Sequence, residues 1–334
     1  MDILIAGFGV VGQGVAEVLA SKETRLASEF GERLRIVGVF DSATVARDPD
    51  GLDPLSLVER KRETGRVGEP YQGNTVDLVE ETDFDVLIEL TPTDILGAEP
   101  AFSHLRAALG AGRDAITCNK GPLALRYGEL VDMAESSGAR LRFEGAVGGA
   151  MPVINLARET LRGEETLSLR GILNGTCNFI LNRMGEEGLP LSQALREAQQ
   201  LGIAEADPTY DIDGVDSACK LAILANALMG REVTLSDVNT VGIRGINEDA
   251  VSLAAEHRKV IRLVGEISDR RMEVSPVMVP TGHPLSIGGT LNMVQLKTDI
   301  AGEITVAGKG AGKMETSSAV LSDLVALLKA RHQN

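Results

Sequence analysis

The 334-residue chain has 48 acidic and 33 basic residues, which gives a formal net charge of −15. This balance excludes a typical nucleic-acid-binding protein, because binding to the phosphate backbone needs a basic face. The length predicts about two domains, the content of 43% hydrophobic and 24% charged residues is typical of a soluble globular protein, and no apolar run approaches the roughly 18 residues of a membrane span.

The three cysteines indicate a reducing compartment. Cys118, Cys177 and Cys219 have no CxxC spacing, which argues against a disulfide framework and against a thiolate metal site. The N-terminal sequence MDILIAGFGV lacks the basic n-region of a signal peptide. We therefore expect a cytoplasmic location.

The chain opens with the pattern of a dinucleotide-binding turn. Residues 2–6 predict a strand, and a helical pattern follows through Val15, Val18 and Leu19. Glycines at this junction allow a tight turn, close approach of the backbone to a pyrophosphate and close packing of helix on strand. The predicted cofactor contacts are Gly7, Phe8, Gly9, Val10, Val11 and Gly12.

The second predicted strand, residues 34–40, ends at Asp41. A carboxylate at this place accepts hydrogen bonds from the adenine ribose and repels a 2'-phosphate, which favours NAD over NADP. NADP stays open, because Arg47, Arg60 and Lys61 follow closely and could reach a phosphate.

The rest of the first domain alternates predicted strands and helices. Residues 48–76 are rich in proline, glycine and charge and predict an irregular excursion with one short helix. Thr91 and Pro92 then form a polar turn on the nicotinamide side of the predicted sheet. The elements predicted after the excursion are strand 85–90, helix 99–111, strand 114–117 with Lys120 in the loop beyond it, helix 127–137, strand 141–144 and a glycine-rich loop over 145–152.

A second domain is predicted from residue 151 onward. Its first helix covers 152–161 and its first strand 167–173, which leads into Asn174-Gly175-Thr176. Further on, a helix over 248–263 and strands over 272–279 and 292–300 predict an open α+β sheet. The last predicted helix is 317–330.

The densest chemistry lies in the segment Glu205–Lys220, EADPTYDIDGVDSACK, which holds five carboxylates and one lysine. Pro208 and Gly214 exclude one continuous helix, so the pattern predicts an acidic loop that runs into a helix. Asp216 and Lys220 are then one turn apart on one helix face. Such a pair is often only an exposed ion pair worth a few tenths of a kcal/mol. Carboxylates this dense, however, repel one another unless a metal, a lysine or a ligand ammonium lies among them.

This segment resembles the signature of homoserine dehydrogenases, in which Ala-Glu-x-Asp-Pro is followed by Asp, by Gly-x-Asp and, four residues later, by Lys. The chain departs from the pattern at Ile203, where many members have an aromatic residue. The matching residues are Ala204, Glu205, Asp207, Pro208, Asp211, Gly214, Asp216 and Lys220.

The resemblance implies roles for individual residues. Lys220 is expected to be the general base oriented by Asp216, and Lys120 is expected to line the active site. Glu205 and Asp211 suit the substrate ammonium, while Gly175 and Thr176 are expected to contact substrate. The C-terminal segment with Gly312 is expected to close over the cofactor. The resemblance also implies a monovalent cation such as Na+, held by Glu144 and by the carbonyl groups of Val147, Gly149 and Met151.

The fold class expected from pattern and resemblance together is α/β. A Rossmann-type nucleotide-binding domain, residues 1–150 completed by 302–334, is joined to an α+β catalytic and dimerisation domain, residues 151–301, with an open sheet. The resemblance implies NAD(P)-dependent interconversion of L-homoserine and L-aspartate 4-semialdehyde in threonine and methionine biosynthesis, by the short form without a C-terminal regulatory domain. The half-covered sheet expected for the second domain favours a homodimer formed through sheet faces. A small-molecule substrate is expected, with no nucleic acid or membrane partner.

Two other functions stay open at this point. Aspartate semialdehyde dehydrogenase has a similar architecture, but it needs a thiolate nucleophile with a paired histidine. A non-catalytic NAD-sensing module would need neither Lys120 nor Lys220.

Overall fold

The structure is a computed structural model that describes residues 1–332. The chain divides into two units. The first unit comprises Met1–Gly149 and the residues from Gly312 onward, and the second unit comprises Ala150–Ala311. The chain therefore enters the second unit once and returns to the first.

A seven-stranded sheet forms the centre of the first unit. Its strands, in chain order, are β1 (Asp2–Ala6), β2 (Arg35–Phe40), β3 (Thr44–Leu52), β4 (Glu69–Pro70), β5 (Val86–Glu89), β6 (Asp114–Thr117) and β7 (Leu141–Arg142). The spatial order is β4-β3-β2-β1-β5-β6-β7, and all neighbours are parallel except β2 with β3 and β3 with β4. The strand order reverses at β1, which places a ligand crevice beyond the carboxyl ends of β1 and β5.

Helices pack around this sheet. They are α1 (Val10–Phe30), α2 (Pro54–Thr64), α3 (Thr75–Glu81), α4 (Ala101–Gly110), α5 (Lys120–Leu125), α6 (Tyr127–Ser137), α7 (Glu144–Val147) and α14 (Lys313–His332). Helix α14 contributes Val320, Leu324 and Leu327 to the same core cluster as Ile3 and Val15. The end of the chain thus completes the core that the first strand begins.

The second unit contains a six-stranded sheet. Its strands are β8 (Thr166–Ile172), β9 (Asn239–Thr240), β10 (Lys259–Ser268), β11 (Arg271–Pro280), β12 (Leu291–Thr298) and β13 (Glu303–Lys309). The spatial order is β13-β12-β8-β10-β11-β9, with antiparallel neighbours except for β11 and β9. The two units together have the predicted fold class.

The helices of the second unit include the segment of highest acidic density. They are α8 (Val153–Asn155), which continues as a π-helix over Leu156–Thr160, then α9 (Gly175–Glu187), α10 (Leu191–Gln200), α11 (Thr209–Ile212), α12 (Val215–Met229) and α13 (Glu248–Glu256), with short 3-10 turns at Leu235–Asp237 and Pro284–Ser286. Helix α12 packs on β8, β10 and β11. It also contacts α11, and its residues 216–226 are all buried.

Most predicted elements are confirmed, but the region 48–76 is more regular than expected. It contains most of β3, all of α2 and the short strand β4. The short helix expected here is α2. The irregular structure expected before it was wrong, because β3 is an antiparallel strand next to the sheet edge, where a proline such as Pro49 is tolerated. The Asp48 side chain accepts a hydrogen bond from the Asp50 N–H (2.9 Å) and shapes the irregular part of the strand.

The predicted helix over 248–263 was also wrong in its second half. Helix α13 ends at Glu256, Arg258 adopts a left-handed conformation with φ 54°, and β10 begins at Lys259. A ten-residue ladder with β11 and the β-branched residues Val260 and Ile261 favour strand over helix here.

Besides β10, the C-terminal third has two strands that the sequence did not predict, the two-residue β9 and the longer β13. Residues Glu303–Lys309 form β13 and pair with β12 in the second unit, although the sequence analysis assigned residues 302–334 to the first domain. Exposed and half-buried residues alternate along this strand, with Ile304 and Val306 on the half-buried side, so its pattern was present in the sequence and was overlooked. Within residues 1–332, no helix is long and apolar enough to cross a membrane.

Candidate functional site

The glycine turn after β1 has the geometry that the sequence predicts. Gly7 has φ 95°, and a Cβ on it would lie 2.6 Å from the carbonyl carbon of Leu90, so only glycine fits. Nothing lies within 4 Å of a Cβ placed on Gly9, the N-cap of α1. The Phe8 side chain is buried in the core. Val10, Val11 and Gly12 are the first residues of α1, so their N–H groups lie at the helix N-terminus, which suits a pyrophosphate.

Asp41 is not an isolated carboxylate. Its Oδ2 lies 2.8 Å from Lys61 Nζ, and its Oδ1 accepts hydrogen bonds from the N–H groups of Ala43 (2.9 Å) and Thr44 (2.7 Å). Burial acts to raise the pKa of Asp41, but the hydrogen bonds from Lys61 and from the Ala43 and Thr44 N–H groups outweigh it and lower that pKa. A carboxylate and a cation therefore lie side by side beyond β2, the place where Rossmann folds bind the adenine ribose.

The other two basic residues considered for a phosphate have partners elsewhere. Arg47 lies 3.4 Å from Glu81, and Arg60 lies 3.1 Å from Glu69. Lys61 is thus the cation that the structure places beside Asp41. The preference for NAD stays a prediction.

The Thr91-Pro92 turn and Lys120 are tied to each other through Asn119. The Asn119 Nδ2 donates to the carbonyl oxygens of Thr91 and Pro92, both at 3.1 Å. Its Oδ1 accepts from the Gly121 N–H (3.0 Å) and caps α5, in which Lys120 is the first residue. Lys120 was expected in a loop, but the cap fixes its backbone at a helix start.

In the second unit, the start of α12 holds a buried lysine. Lys220 Nζ donates to Asp216 Oδ2 and to the Leu173 carbonyl oxygen, both at 2.8 Å. The two side chains are each 8% exposed. The pair is therefore not the exposed ion pair that i, i+4 spacing often produces, and the helical spacing prediction is confirmed.

Two asparagines hold the groups around this pair. Asn174 Nδ2 donates to Asp216 Oδ2 (2.9 Å) and to Asp211 Oδ1 (2.7 Å), so one amide joins two carboxylates. Asn292 Nδ2 donates to the Leu173 carbonyl (2.9 Å), which Lys220 also uses. Asn174 and Asn292 therefore each hold one of the two acceptors of Lys220, the Asp216 carboxylate and the Leu173 carbonyl.

Asn174 was predicted only as part of the Asn174-Gly175-Thr176 motif, and Asn292 was not predicted as a site residue. Asn174 follows a strand and precedes a helix start, a position where an N-cap is expected, and its Oδ1 accepts from the Cys177 N–H at 2.8 Å. Asn292 lies 119 residues from Leu173, and no local signal identifies it.

The surroundings of Asp211 disfavour its charged form. Burial raises the pKa of Asp211, and the charge of Asp216 raises it further, while the hydrogen bond from Asn174 and the charge of Lys220 oppose the rise. A cation that arrives beside Asp211 would relieve this repulsion. The group is therefore suited to bind a ligand ammonium.

Two of the remaining three carboxylates of the segment have partners for their side chains. Asp213 forms an ion pair with Arg244, and Asp207 accepts from the Thr209 N–H at 3.1 Å. Glu205 is exposed, and its side chain makes no hydrogen bond or ion pair with any residue in 1–332. Lys220 and Arg244 thus pair with Asp216 and Asp213, two of the five carboxylates of this segment.

Gly175 and Thr176 are the first residues of α9. The Thr176 hydroxyl donates to the Ile203 carbonyl at 3.1 Å. The acceptor is the backbone carbonyl of Ile203, so this bond does not depend on the side chain at that position. Residue 203 is aliphatic here, where many proteins with this signature have an aromatic residue.

The cysteines are thiols rather than nucleophiles. Burial raises the pKa of Cys177, and the charges of Asp211 and Asp216 raise it further against the opposing charge of Lys220. Burial also raises the pKa of Cys118. All three cysteines are free. A thiolate mechanism therefore has little support from these environments.

The predicted cation loop is helical at its start. Glu144 was expected to end a strand, but it begins α7, and its N–H donates to Asp323 Oδ2 at 2.9 Å. Strand β7 ends at Arg142, and Phe143 is the N-cap residue of α7. A helical turn therefore begins where a loop was expected. Val147 ends α7 and Gly149 has φ 54°, while the Met151 carbonyl accepts from the Val153 N–H at 2.9 Å. Carbonyl oxygens at a helix end fit a hard cation chemically.

Gly312 immediately precedes α14, with φ 136°, and its carbonyl accepts from the Thr316 N–H at 3.0 Å. This is the start of the helix that returns the chain to the first unit.

Comparison with known proteins decides the family. The sequence model of the homoserine dehydrogenase NAD-binding domain matches residues 7–144, and that of homoserine dehydrogenase matches residues 152–325. The chain belongs to the homoserine dehydrogenase family.

Individual homoserine dehydrogenases match over nearly the whole chain. The protein of Methanocaldococcus jannaschii is 46% identical over 97% of this chain and 98% of its own length. A crystal structure of a putative homoserine dehydrogenase from Archaeoglobus fulgidus has a TM-score of 0.92 at 44% identity, covering 98% of this chain and 99% of that one. A hyperthermophilic archaeal homoserine dehydrogenase in complex with NADPH has a TM-score of 0.84 at 31% identity, covering 97% and 96%.

The environment of Asp211 predicts that Asp211→Asn stabilises the substrate-free protein. The folded-state pKa is raised, so ionisation destabilises the folded state as the pH rises from about 3.8 through that raised pKa. Asparagine keeps an acceptor for Asn174 and carries no charge. We expect a melting temperature higher by up to about 4 °C at pH 7, which corresponds to about 1 kcal/mol, and a higher KM for an amino-acid substrate.

Thermal unfolding at pH 7 and pH 3, with Asp207→Asn as the exposed control, checks this. A gain of equal size at pH 3 would contradict the electrostatic origin, because Asp211 is protonated in both states there.

Proposed function

We propose that the protein is an NAD(P)-dependent homoserine dehydrogenase in which Lys220 is the general base. The reaction interconverts L-homoserine and L-aspartate 4-semialdehyde, which places the enzyme in threonine and methionine biosynthesis. The observation that carries the assignment is the buried Lys220, held by Asp216 and the Leu173 carbonyl within the family's signature segment.

The reaction needs a hydride acceptor and a proton acceptor. A nicotinamide cofactor would supply the hydride acceptor for C4 of the alcohol. The hydroxyl group on the same carbon loses its proton to the neutral Lys220 amine. A neutral amine has two N–H groups, which the bonds to Asp216 and the Leu173 carbonyl use. Its lone pair is the site that we assign to take the substrate proton, which gives the ammonium.

The substrate is positioned by charge in this proposal. Asp211 and the exposed Glu205 bind the homoserine ammonium, which relieves the repulsion between Asp211 and Asp216. Gly175 and Thr176 at the start of α9 contact the rest of the amino acid. Lys120, at the start of α5, is proposed as an active-site lysine because the family pattern has an Asn-Lys at this point of the fold.

A monovalent cation such as Na+ is part of the proposal. Glu144 would supply a carboxylate, and Val147, Gly149 and Met151 would supply carbonyl oxygens, the donors that hard cations prefer. An increase in activity when Na+ replaces a bulky organic cation at constant ionic strength would support it, and an unchanged rate would count against it.

We further propose a homodimer formed through the sheet of the second unit. The cross-strand row Gln295, Arg170 and Glu266 lies on the three central strands and is only half-buried. Light scattering should give twice the monomer mass, and a monomer at assay concentration would contradict the assembly.

The three free cysteines agree with the cytoplasmic location that we also propose, which cell fractionation would test.

Lys220→Ala should lower kcat at least about a hundredfold, the usual size of a general-base contribution, with cofactor affinity unchanged. Lys220→Arg should fail equally, because a guanidinium keeps the charge but does not release a proton at neutral pH. The measurement is homoserine-dependent NAD(P)H formation at 340 nm.

The matched control for this experiment is Lys22→Ala, which removes an exposed lysine of α1 and should keep the wild-type rate. Full activity in Lys220→Arg would leave Lys220 an electrostatic role and exclude it as the base. A wild-type protein without homoserine-dependent activity would overturn the proposed function itself.

The Asp41–Lys61 pair predicts opposite effects on cofactor choice. Asp41→Ser removes like charge near a 2'-phosphate and releases Lys61, so NADP should gain relative to NAD. The change in relative kcat/KM should be about five- to a hundredfold, which corresponds to about 1–3 kcal/mol. Lys61→Ala removes the cation and should shift the same ratio toward NAD.

Steady-state kinetics with both cofactors, with Arg60→Ala as a control because Arg60 pairs with Glu69, measures the two shifts. Shifts of the same sign in the Asp41 and Lys61 variants would exclude the pair as the selector.

A further inference from the structure

Glu89 is a carboxylate inside an otherwise apolar strand. It is the last residue of β5, between Ile88 and Leu90, and it is 0% exposed. Burying a carboxylate costs free energy unless hydrogen bonds compensate. A strand that needed only to pack would have another aliphatic residue here.

The two carboxylate oxygens of Glu89 bind two different turns. Oε1 accepts hydrogen bonds from the Thr91 N–H (3.0 Å) and from the Thr91 hydroxyl. Oε2 accepts from the Thr117 hydroxyl at 3.2 Å. One side chain therefore links the ends of β5 and β6.

The Thr117 contact continues to Lys120. The Thr117 hydroxyl accepts from the Asn119 N–H at 3.0 Å, and Asn119 caps the helix that begins with Lys120 and also binds the carbonyl groups of Thr91 and Pro92. Glu89 thus reaches the Thr91-Pro92 turn directly, and it reaches the start of α5 through two further residues.

The turn that Glu89 holds also packs against the dinucleotide turn. A Cβ on Gly7 would lie 2.6 Å from the Leu90 carbonyl and 2.8 Å from the Thr91 nitrogen. The Thr91 backbone therefore cannot move toward Gly7 without displacing it. The position of the cofactor turn depends on where Glu89 holds Thr91.

His104 lies behind the carboxylate, with its Nδ1 3.8 Å from Glu89 Oε1 and its Nε2 2.8 Å from the Thr75 hydroxyl. Its ring is buried and packs edge-on against Phe40. Thr75 thus belongs to the same buried cluster but contacts neither turn.

We infer that Glu89 is a positioning residue that sets the cofactor turn through Thr91 and the Lys120 helix start through Thr117. This inference rests on the proposed dehydrogenase function. Glu89 has two separable effects, one for each oxygen. Loss of the Thr91 contact weakens cofactor binding, and loss of the Thr117 contact lowers turnover.

The test uses three substitutions and two readouts. Cofactor affinity is measured by NADH and NADPH fluorescence titration, and kcat and KM are measured with homoserine. Thr91→Val should raise the cofactor Kd by up to about tenfold with kcat nearly kept. Thr117→Val should lower kcat by up to about tenfold with Kd within about twofold, since each variant loses one hydrogen bond to a charged group. Glu89→Gln should show both effects.

Thr75→Val is the matched control, because it removes a hydroxyl from the same cluster without touching either turn. It should lower the melting temperature and leave Kd, KM and kcat unchanged. If Glu89→Gln does not fold, the two threonine variants carry the test alone.

The inference is overturned if Thr91→Val and Thr117→Val change the melting temperature only, as Thr75→Val does, or if each of them both raises Kd and lowers kcat. Failure of the proposed function is distinguishable, since wild-type protein would then lack homoserine-dependent activity while the cofactor titrations still report on Thr91 and Glu89.

Discussion

The buried ion pair of Lys220 and Asp216 is the interaction around which the second unit is arranged. Removing two charges from water costs several kcal/mol per ion, and the attraction between them compensates only when hydrogen bonds satisfy the remaining donors and acceptors. Here the Leu173 carbonyl and Asn174 provide those bonds. The strand end of β8, the cap of α9 and the first turn of α12 must therefore meet at one point.

The same arrangement explains why the acidic segment is folded as two short pieces. Gly214, with φ 82°, separates α11 from α12, so Asp211 on one helix and Asp216 on the next both reach the amide of Asn174. A continuous helix would place these two carboxylates five residues apart, on different faces. The repulsion that remains between them is stability given up for a binding site, a common feature of functional sites.

Local patterns were sufficient for the parts of the site that depend on local geometry. The glycine turn after β1, the i, i+4 relation of Asp216 and Lys220, and strand β6 follow from spacing and composition within a few residues. Strand β3 was not predicted because proline, glycine and charge hide its alternation. The second half of the predicted helix 248–263 is instead part of β10, which pairs with β11 along its whole length. Residues that act across the sheet, such as Asn292, leave no local signal.

Glu89 lies between these two cases. An acidic residue within an apolar strand is visible in the sequence, and it indicates either a partner or a ligand. Which of the two applies depends on Thr91 and Thr117, whose hydroxyls are brought to the carboxylate by the parallel register of β5 and β6. The family resemblance selected the lysines and carboxylates of the signature, but it offered nothing about the residues that support them.

The return of the chain to the first unit has a consequence for synthesis on the ribosome. Val320, Leu324, Leu327 and Leu328 of α14 belong to the same core as Ile3 and Val15, so the nascent first unit lacks one wall of its core until the last helix has emerged. The second unit, Ala150–Ala311, is continuous in sequence and has all of its strands before that moment. We therefore expect the order of folding to differ from the order of translation, with apolar faces of α1 and β1 exposed to chaperones in the interval.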